Sequence, residues 1–382
     1  MEIGRSELAK LISAKATVNT SLRWLPFFLP TLAVAFDSST ATLALLLGVA
    51  EASGLSTFFV GRWLDAGRER LVIISSLIGV VASSLLALVG SIWTLAAALL
   101  LLGVASAYIT VAGQAWISVR ASFGQRARYI GIYEISWALA LLVGAPSVAL
   151  LISIFGWRGP FIAIAVAAVM AAVLIAVIDD GEHAIRQKVA PPANVPITRE
   201  TWLIIGASAV LAMSALGTSV IAGTWLDEVL GVSTGGVGLV AMAIGLAELI
   251  ASTGSSAFAD RLGKHRTMKF SVAATLIGLT VIVSAGTSIF LGALGLFVFF
   301  VCFEYSIVTS FSLVSESMPK SPGRALAVSN ATGTVGRGIG VSAAGVLYEA
   351  FGIRGPVVFS ASGALIATVL LLAFGRLRPD FA

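Results

Sequence analysis

The chain has 382 residues, of which 58% are hydrophobic and only 11% charged, with a net charge of +5. Soluble domains are typically about 45–50% apolar and about 25% charged, so this composition excludes a soluble globular protein. The apolar segments are roughly 20 residues long, the length with which a helix crosses a bilayer. They predict an all-α membrane protein, because a membrane barrel would show alternating segments of about ten residues.

The twelve predicted membrane spans run along the chain in two groups of six. The first group lies at 17–36, 41–60, 71–92, 94–118, 129–153 and 160–178, and the second at 202–222, 236–258, 270–289, 290–314, 325–348 and 356–375. Between them, residues 179–200 are polar and contain three prolines, a composition typical of an extended linker. The prediction is a bundle over 1–178, a linker over 179–200 and a second bundle over 201–382.

Lysine and arginine are concentrated on one side of these spans. With the N-terminus inside, 21 of the 24 basic residues fall in inner segments, while the outer loops hold Arg158 and Arg354. The 21 include Lys15 and also Arg23, which lies within the first predicted span without changing the asymmetry. Because basic residues favour cytoplasmic loops, the pattern predicts that both termini are cytoplasmic, in a prokaryotic inner membrane or plasma membrane. The positive charge is then a topology signal, and no nucleic-acid partner is predicted.

The two halves of the sequence repeat each other. The hexapeptide Phe-Gly-Trp-Arg-Gly-Pro at 155–160 recurs as Phe-Gly-Ile-Arg-Gly-Pro at 351–356, a shift of 196 residues. A shift of 195 residues places Asp65 on Asp260. Six spans therefore repeat in the same orientation, as in transporters whose parallel halves are related by an axis along the membrane normal. We expect two pseudo-symmetric six-helix bundles.

Corresponding loops of the two halves carry related motifs. Residues 61–70 read Gly-Arg-Trp-Leu-Asp-Ala-Gly-Arg-Glu-Arg, and residues 260–266 read Asp-Arg-Leu-Gly-Lys-His-Arg. Both resemble Gly-x-x-x-Asp-Arg-x-Gly-Arg-Arg of the major facilitator superfamily, which the sequence resembles over essentially its whole length. The resemblance implies a gating motif made of Gly61, Asp65, Gly67, Arg68, Asp260, Arg261, Gly263 and Lys264.

The resemblance also implies where the two loop aspartates bind. Asp65 is expected to dock on the start of the eleventh span, and Asp260 on the start of the fifth, when the cytoplasmic side is closed. A carboxylate is stabilised at the positive end of a helix dipole, which is the physical basis of such a contact. The alternative is that each loop is a positive-inside turn without a gating role.

Two further segments are similar to the drug and metabolite antiporter branch of the superfamily. The fifth span carries Gly144-Ala145-Pro146, part of a Gly-Pro motif, and the segment 304–340 is also similar to this branch. The arginine that many antiporters place in the fourth span is absent, because residues 95–113 contain no charge. The resemblance favours an exporter and leaves its coupling mechanism open.

Ionisable residues inside predicted spans are candidates for function, because charge is costly there. The candidates are Glu51, Glu134, Glu248, Glu304 and Arg337. The superfamily fold would pair Glu51 with Arg337 and bring Glu134 near Glu248, unless Arg337 holds Glu304 instead. A carboxylate that exchanges partners during transport would bind and release a proton. For each residue the alternative is a static buried ion pair.

Aromatic and polar residues on spans one, four, seven and ten would line a central cavity by analogy with the superfamily. Lipid-facing or helix-packing positions are the alternative for each residue. The candidates are Trp24, Phe27, Tyr108, Gln114, Ser214, Thr218 and Tyr305.

The predicted function is secondary active transport by alternating access, with proton-coupled efflux of a small organic compound, by a monomer in the lipid bilayer. No P-loop is evident that would use ATP. The alternatives are a proton-coupled or facilitative importer of a sugar or similar nutrient, and a non-transporting membrane receptor or scaffold. Because no nucleophile–base set or metal-ligand cluster is evident, no enzyme activity, cofactor or metal is predicted.

Overall fold

The computed structural model describes residues 3–121, 123–178, 196–319 and 322–378, and within these ranges it is helical and contains no strand. Twelve helical spans follow one another. The first six are span 1 (Arg5–Arg23, a 3-10 turn Leu25–Phe28 and Leu29–Ala35), span 2 (Thr40–Ala52, a 3-10 turn Ser53–Ser56 and Thr57–Asp65), span 3 (Glu69–Leu88), span 4 (Ile92–Arg120), span 5 (Phe123–Leu139, π-helical Ala140–Gly144 and Ala145–Phe155) and span 6 (Arg158–Ala176). The last six are span 7 (Arg199–Glu228), span 8 (Thr234–Leu262), span 9 (Lys264–Ser284), span 10 (Ile289–Ser317), span 11 (Pro322–Phe351) and span 12 (Arg354–Leu377).

Nine helices of the described residues are long and apolar enough to cross a membrane, namely those of spans 3 to 10 and span 12. Spans 1 and 2 are divided into shorter helices by their 3-10 turns. Span 11 contains Arg337 and a run of glycines, which lower its hydropathy. The architecture is the predicted all-α membrane fold of twelve helices in two six-helix bundles.

We name the two ends of the bundles by the turns they hold. The terminal end, where the described chain begins and ends, holds residues 66–68, 121, 196–198, 263 and 318–319. The far end holds residues 36–39, 89–91, 156–157, 229–233, 285–288 and 352–353. Because consecutive spans run in opposite directions between short turns, every second connection lies at the same end.

The two bundles pack closely against each other toward the far end. A Cβ added to Gly338 of span 11 would lie 2.9 Å from the carbonyl oxygen of Gly48 in span 2. A Cβ added to Gly238 of span 8 would lie 2.6 Å from Ala149 of span 5. Toward the terminal end, Thr57–Asp65 packs on spans 3 and 4 of its own bundle. Small residues that allow backbones to approach therefore seal the far end in this conformation.

Span 5 contains a π-helical turn, Ala140–Gly144, directly before Pro146. Proline has no N–H and its ring crowds the carbonyl four residues earlier, so the helix adjusts its winding at this point. Gly245 of span 8 lies so close to this turn that an added Cβ would be 2.6 Å from the backbone nitrogen of Leu142. The irregular turn therefore lies at the contact between the bundles.

Span 1 begins earlier than predicted, at Arg5 instead of residue 17. Its first turns were assigned to a polar segment outside the membrane because they contain lysines. Leu8, Leu11 and Val18 are buried on one face against spans 5 and 6, and Lys15 is buried with them. Of the predicted linker, residues 179–195 lie outside the described residues, and Arg199 already begins span 7.

Candidate functional site

Arg23 of span 1 reaches across the bundle interface to Glu248 of span 8. Its two terminal nitrogens donate to the two carboxylate oxygens at 2.8 and 2.6 Å. The guanidinium also donates to the Trp137 carbonyl at 2.6 Å and lies 4.1 Å from the centre of the Trp137 ring. The Glu248 side chain is 2% exposed and that of Arg23 is 10% exposed. This bidentate pair is the more deeply buried of the two links described here between the bundles.

Glu51 of span 2 and Arg337 of span 11 form a second link between the bundles. The Arg337 Nε donates to Glu51 Oε2 at 2.9 Å, and a terminal nitrogen of the same guanidinium donates to Thr334 at 3.1 Å. The predicted pairing of Glu51 with Arg337 is present, and Arg337 does not take the alternative partner Glu304. Both side chains are more exposed than those of the first pair.

Glu134 of span 5 has partners within its own bundle. Lys15 donates to its Oε2 at 2.5 Å and Gln114 of span 4 donates to its Oε1 at 3.0 Å. Lys15 is fully buried and lies 4.3 Å from the centre of the Tyr133 ring, whereas the Glu134 side chain is 42% exposed. Glu134 and Glu248, which are expected to approach each other, each bind a cation from span 1.

Lys15, Asn19 and Arg23 form a polar stripe on span 1. They are spaced four residues apart, so they lie on one face of the helix. Each contacts span 5, and Asn19 donates to the Ser136 hydroxyl at 3.2 Å. Lys15 and Arg23 belong to the predicted inner basic residues, and neither is among the predicted site residues. Their spacing was the available signal, because three polar residues on one face of a membrane helix indicate a buried polar partner.

Glu304 of span 10 is, of the four glutamates predicted inside spans, the one without an ion pair among the described residues. The hydroxyl of Ser252 lies 3.3 Å from its Oε1 and 2.7 Å from the carbonyl oxygen of Glu248, so Glu304 and Glu248 share a neighbourhood. Among the described residues, no basic group forms an ion pair with Glu304. The described cations nearest to the site, Lys15 and Arg23, are engaged by other carboxylates.

The sequence matches the family model described as Major Facilitator Superfamily at residues 12–322 and, in a second alignment, at 203–381. The chain belongs to the major facilitator superfamily. It is a multi-pass membrane transporter. No curated protein matches the chain in sequence.

Solved structures of other superfamily members are similar to this chain. A D-xylose-proton symporter matches with a TM-score of 0.79 at 14% identity, covering 96% of both chains. A bacterial homologue of the iron transporter ferroportin, inward-facing, matches with a TM-score of 0.75 at 17% identity, covering 98% of this chain and 99% of that one. A bacterial homologue of the human lysosomal transporter Spinster, inward-facing and unoccupied, matches with a TM-score of 0.72 at 15% identity, covering 100% and 97%. At these identities the similarity shows the fold alone.

Of the predicted cavity residues of this superfamily member, Phe27 lies at the interface of the bundles, and Gln114 and Tyr108 are half-buried within the first bundle. Phe27 lines a cavity of about 50 Å³ whose wall also contains Arg23 and Glu51. Gln114 lies beside Glu134, and Tyr108 is half-buried with its hydroxyl donating to the carbonyl of Ser56 at 3.2 Å.

The other four candidates contact neighbouring helices or a separate groove in this conformation, and their place in a substrate cavity stays a prediction. Trp24 is fully buried against span 6. Thr218 lies 2.6 Å from the Ser360 hydroxyl, and that hydroxyl donates to the Ser214 carbonyl at 2.5 Å, so spans 7 and 12 are joined. Hydroxyl side chains form such bonds between membrane helices, which accounts for Thr218, whereas the Ser214 hydroxyl donates to the carbonyl of Leu211 in its own helix at 2.9 Å. Tyr305 lines a separate groove between spans 8 and 9.

The superfamily loops turn at Gly67 and Gly263, whose φ angles are +77° and +87°. These are left-handed backbone positions that glycine adopts without strain. Gly61, the first glycine of the motif, lies inside the helix Thr57–Asp65, and an added Cβ would meet nothing within 4 Å. The turn therefore depends on the second glycine of each loop.

Of the two loop aspartates, only Asp260 has a side chain among the described residues. Asp260 forms an ion pair of 2.7 Å with Lys264, which also binds Glu316 at the end of span 10. The side chains at the start of span 5, on which Asp260 is expected to dock, lie largely outside the described residues, so this docking stays a prediction. The side chain of Asp65 lies outside the described residues. Arg68 lies over the Trp63 ring at 5.1 Å, and Arg261 is exposed.

Gly263→Ala is expected to lower the free energy of unfolding by about 1–2 kcal/mol, because an L side chain is strained at positive φ. Gly61→Ala is the matched control and is expected to be neutral or stabilising by up to about 1 kcal/mol, since its helix has room for the methyl group. Thermal unfolding of the purified variants in detergent measures both. Equal stability of the two variants would contradict the assignment of the turn.

Proposed function

We propose that the protein is a secondary active transporter that exchanges protons for a small organic compound by alternating access. The observation that carries this proposal is the set of two ion pairs that join the bundles, Arg23–Glu248 and Glu51–Arg337. Bundles that rock against each other would break or exchange these pairs. A buried carboxylate that loses its cation takes up a proton, and one that regains it releases the proton.

The conformation supports alternating access. The halves are sealed toward the far end by close backbone contacts, of which the approach of Gly48 to Gly338 is one. At the terminal end, Asp260 binds within its own bundle. In the proposed cycle, the opposite state separates the far end and brings Asp65 and Asp260 onto the neighbouring bundle, so that these loops act as a gate.

Glu304 is the leading candidate for the proton carrier in this proposal. It lies beside Glu248 and forms no ion pair among the described residues. Arg23 could therefore bind either Glu248 or Glu304 during the cycle. Glu134 is the second candidate. Its side chain is more exposed than any other in the ion pairs Lys15–Glu134, Arg23–Glu248 and Glu51–Arg337. Glu51 and Glu248 would then serve as the exchangeable partners of the two arginines.

The substrate site is proposed to lie between the bundles, on the terminal-end side of the cavity at Phe27. That cavity is about 50 Å³, whereas sites for organic ligands are typically about 300–1,000 Å³, so it is the closed tip of the site. We assign Gln114, Glu134 and Tyr108, all partly exposed, to the wall of the proposed site. This mixture of one exposed carboxylate with apolar and amide groups supports a small organic compound as the substrate.

The membrane orientation is also a proposal. We propose cytoplasmic termini because 21 of the 24 basic residues belong to the side that holds them. In the structure, Lys15 and Arg23 lie within span 1. Without these two, the basic residues on the side of the termini still far outnumber those on the other side. Efflux would then move the compound from the terminal end to the far end.

Purified protein in liposomes with an imposed pH gradient tests the proposal. An antiporter will accumulate a substrate when the lumen is acidic, whereas a proton-coupled importer will do so when the outside is acidic. A facilitative importer will equilibrate the substrate under either gradient, and a receptor or scaffold will move none. Accumulation that follows an acidic exterior, abolished by a protonophore, would replace the exporter with the nutrient symporter.

A further inference from the structure

A groove of about 400 Å³ opens between spans 8 and 9 at the terminal end. Its lining consists of Leu262, Arg266, Thr267, Phe270, Ser271 and Tyr305. Leu262 ends span 8, the next four residues belong to the first two turns of span 9, and Tyr305 comes from span 10. Spans 8 and 9 each pack mainly on span 10, so they diverge after the turn at Gly263 and leave the groove between them.

The groove lies on a surface that faces hydrocarbon. Phe270 is 59% exposed, and Ile277, two turns along the same face of span 9, is exposed to the same degree. Phe258 and Leu262, one turn apart on span 8, are also exposed. Large apolar side chains exposed along membrane-spanning helices lie against lipid. Arg266 lies one turn from Phe270 on this face, toward the terminal end.

The hydroxyl groups in the groove are already used. Thr267 donates to the carbonyl of Gly263 at 3.0 Å, and Ser271 donates to the carbonyl of Cys302 at 2.8 Å. Neither hydroxyl proton is left for a ligand in these positions. The body of the groove is therefore apolar, and the charged groups that could bind a ligand lie at its mouth.

Two cations flank one aromatic ring at the mouth. The Arg266 guanidinium lies 6.0 Å and the Lys269 ammonium 5.4 Å from the centre of the Phe270 ring. The acids nearest along the chain and at the end of span 10, Asp260 and Glu316, are both held by Lys264. Among the described residues, no carboxylate forms an ion pair with Arg266 or Lys269. The mouth therefore carries positive charge that an anion would complement.

We propose that this groove binds an anionic phospholipid from the leaflet at the terminal end. Its phosphate would lie between Arg266 and Lys269, and an acyl chain would follow Leu262, Phe270 and Tyr305 into the groove. A cationic mouth at the end of a membrane helix and an apolar body toward its middle match the order of headgroup and chain in a leaflet. The volume is in the range of sites that hold organic ligands.

Lipid titration of the purified full chain tests the proposal. Native mass spectrometry will count phosphatidylglycerol and phosphatidylcholine of identical acyl chains bound to the protein in detergent. We expect tighter binding of phosphatidylglycerol, and Arg266→Gln combined with Lys269→Gln should weaken it roughly 30-fold. The matched control is Arg62→Gln combined with Arg376→Gln, which removes the same charge from exposed residues at the same end and should leave the affinity nearly unchanged.

Three results would overturn the proposal. They are equal affinity for the two lipids, equal weakening by the control pair, and displacement of the lipid by inorganic phosphate at the same concentration as by phosphatidylglycerol. The last would show a site for a small anion alone. Thermal unfolding of each variant establishes folding. If the groove double variant is unfolded, Arg266→Gln compared with Arg376→Gln decides by the same criteria.

Discussion

Arg23→Gln is expected to lower the free energy of unfolding by about 3–5 kcal/mol, because it leaves the carboxylate of Glu248 buried without its cation. Glu248→Gln is expected to cost a similar amount, since the guanidinium then lacks its bidentate partner. The double variant should be milder than the sum of the two, as expected for residues in direct contact. Equilibrium unfolding of the four proteins in detergent measures the coupling.

The second link between the bundles is a matched comparison for this cycle. Arg337 and Glu51 have side chains that are 34% and 17% exposed, against 10% and 2% for the first pair. Solvent screens the more exposed charges, so a smaller coupling energy is expected from Glu51→Gln and Arg337→Gln. Additive effects of Arg23→Gln and Glu248→Gln would contradict the pairing as an energetic link between the bundles.

Glu304→Gln is expected to abolish accumulation driven by a pH gradient while substrate binding remains. One pH unit corresponds to 1.36 kcal/mol, so a transporter that exchanges one proton concentrates its substrate up to about 100-fold across two units. The variant should bring the ratio to about 1, because Gln carries no proton. Uptake into proteoliposomes and substrate binding in detergent measure the two properties separately.

A neutral substitution outside the site provides the control for this experiment. Glu7 lies in the first turn of span 1, where its carboxylate accepts a hydrogen bond from Gly4, and Glu7→Gln should accumulate substrate like the parent. If Glu304→Gln also concentrates substrate about 100-fold, Glu304 is not the carrier. Glu134→Gln is then the next variant, since its exposed carboxylate is the second candidate.

Several features of this protein follow from the sequence by itself, because they depend on local properties. An apolar segment of about 20 residues predicts a membrane helix, because that length crosses the hydrocarbon core of a bilayer. The repeat of 155–160 at 351–356 predicts two related halves. The resemblance to the superfamily predicts the pairing of Glu51 with Arg337, since both lie near the middle of spans that its fold brings together.

Other features were decided by the tertiary structure. Lys15 and Arg23 looked like cytoplasmic charges because lysine and arginine near a helix start usually are. Their partners Glu134 and Glu248 lie 119 and 225 residues away, so only the folded arrangement shows that the charges are compensated inside the bundles.

The same reasoning applies to the residues expected to line the cavity. Composition places Ser214 and Thr218 on a membrane helix but does not tell which neighbour their face meets. In the structure the Thr218 hydroxyl and the Ser214 carbonyl both bond to Ser360 of span 12. Helix formation is determined by each segment alone. The direction in which a polar side chain points depends on packing between segments distant in sequence, because a buried polar group must find a partner wherever the fold supplies one.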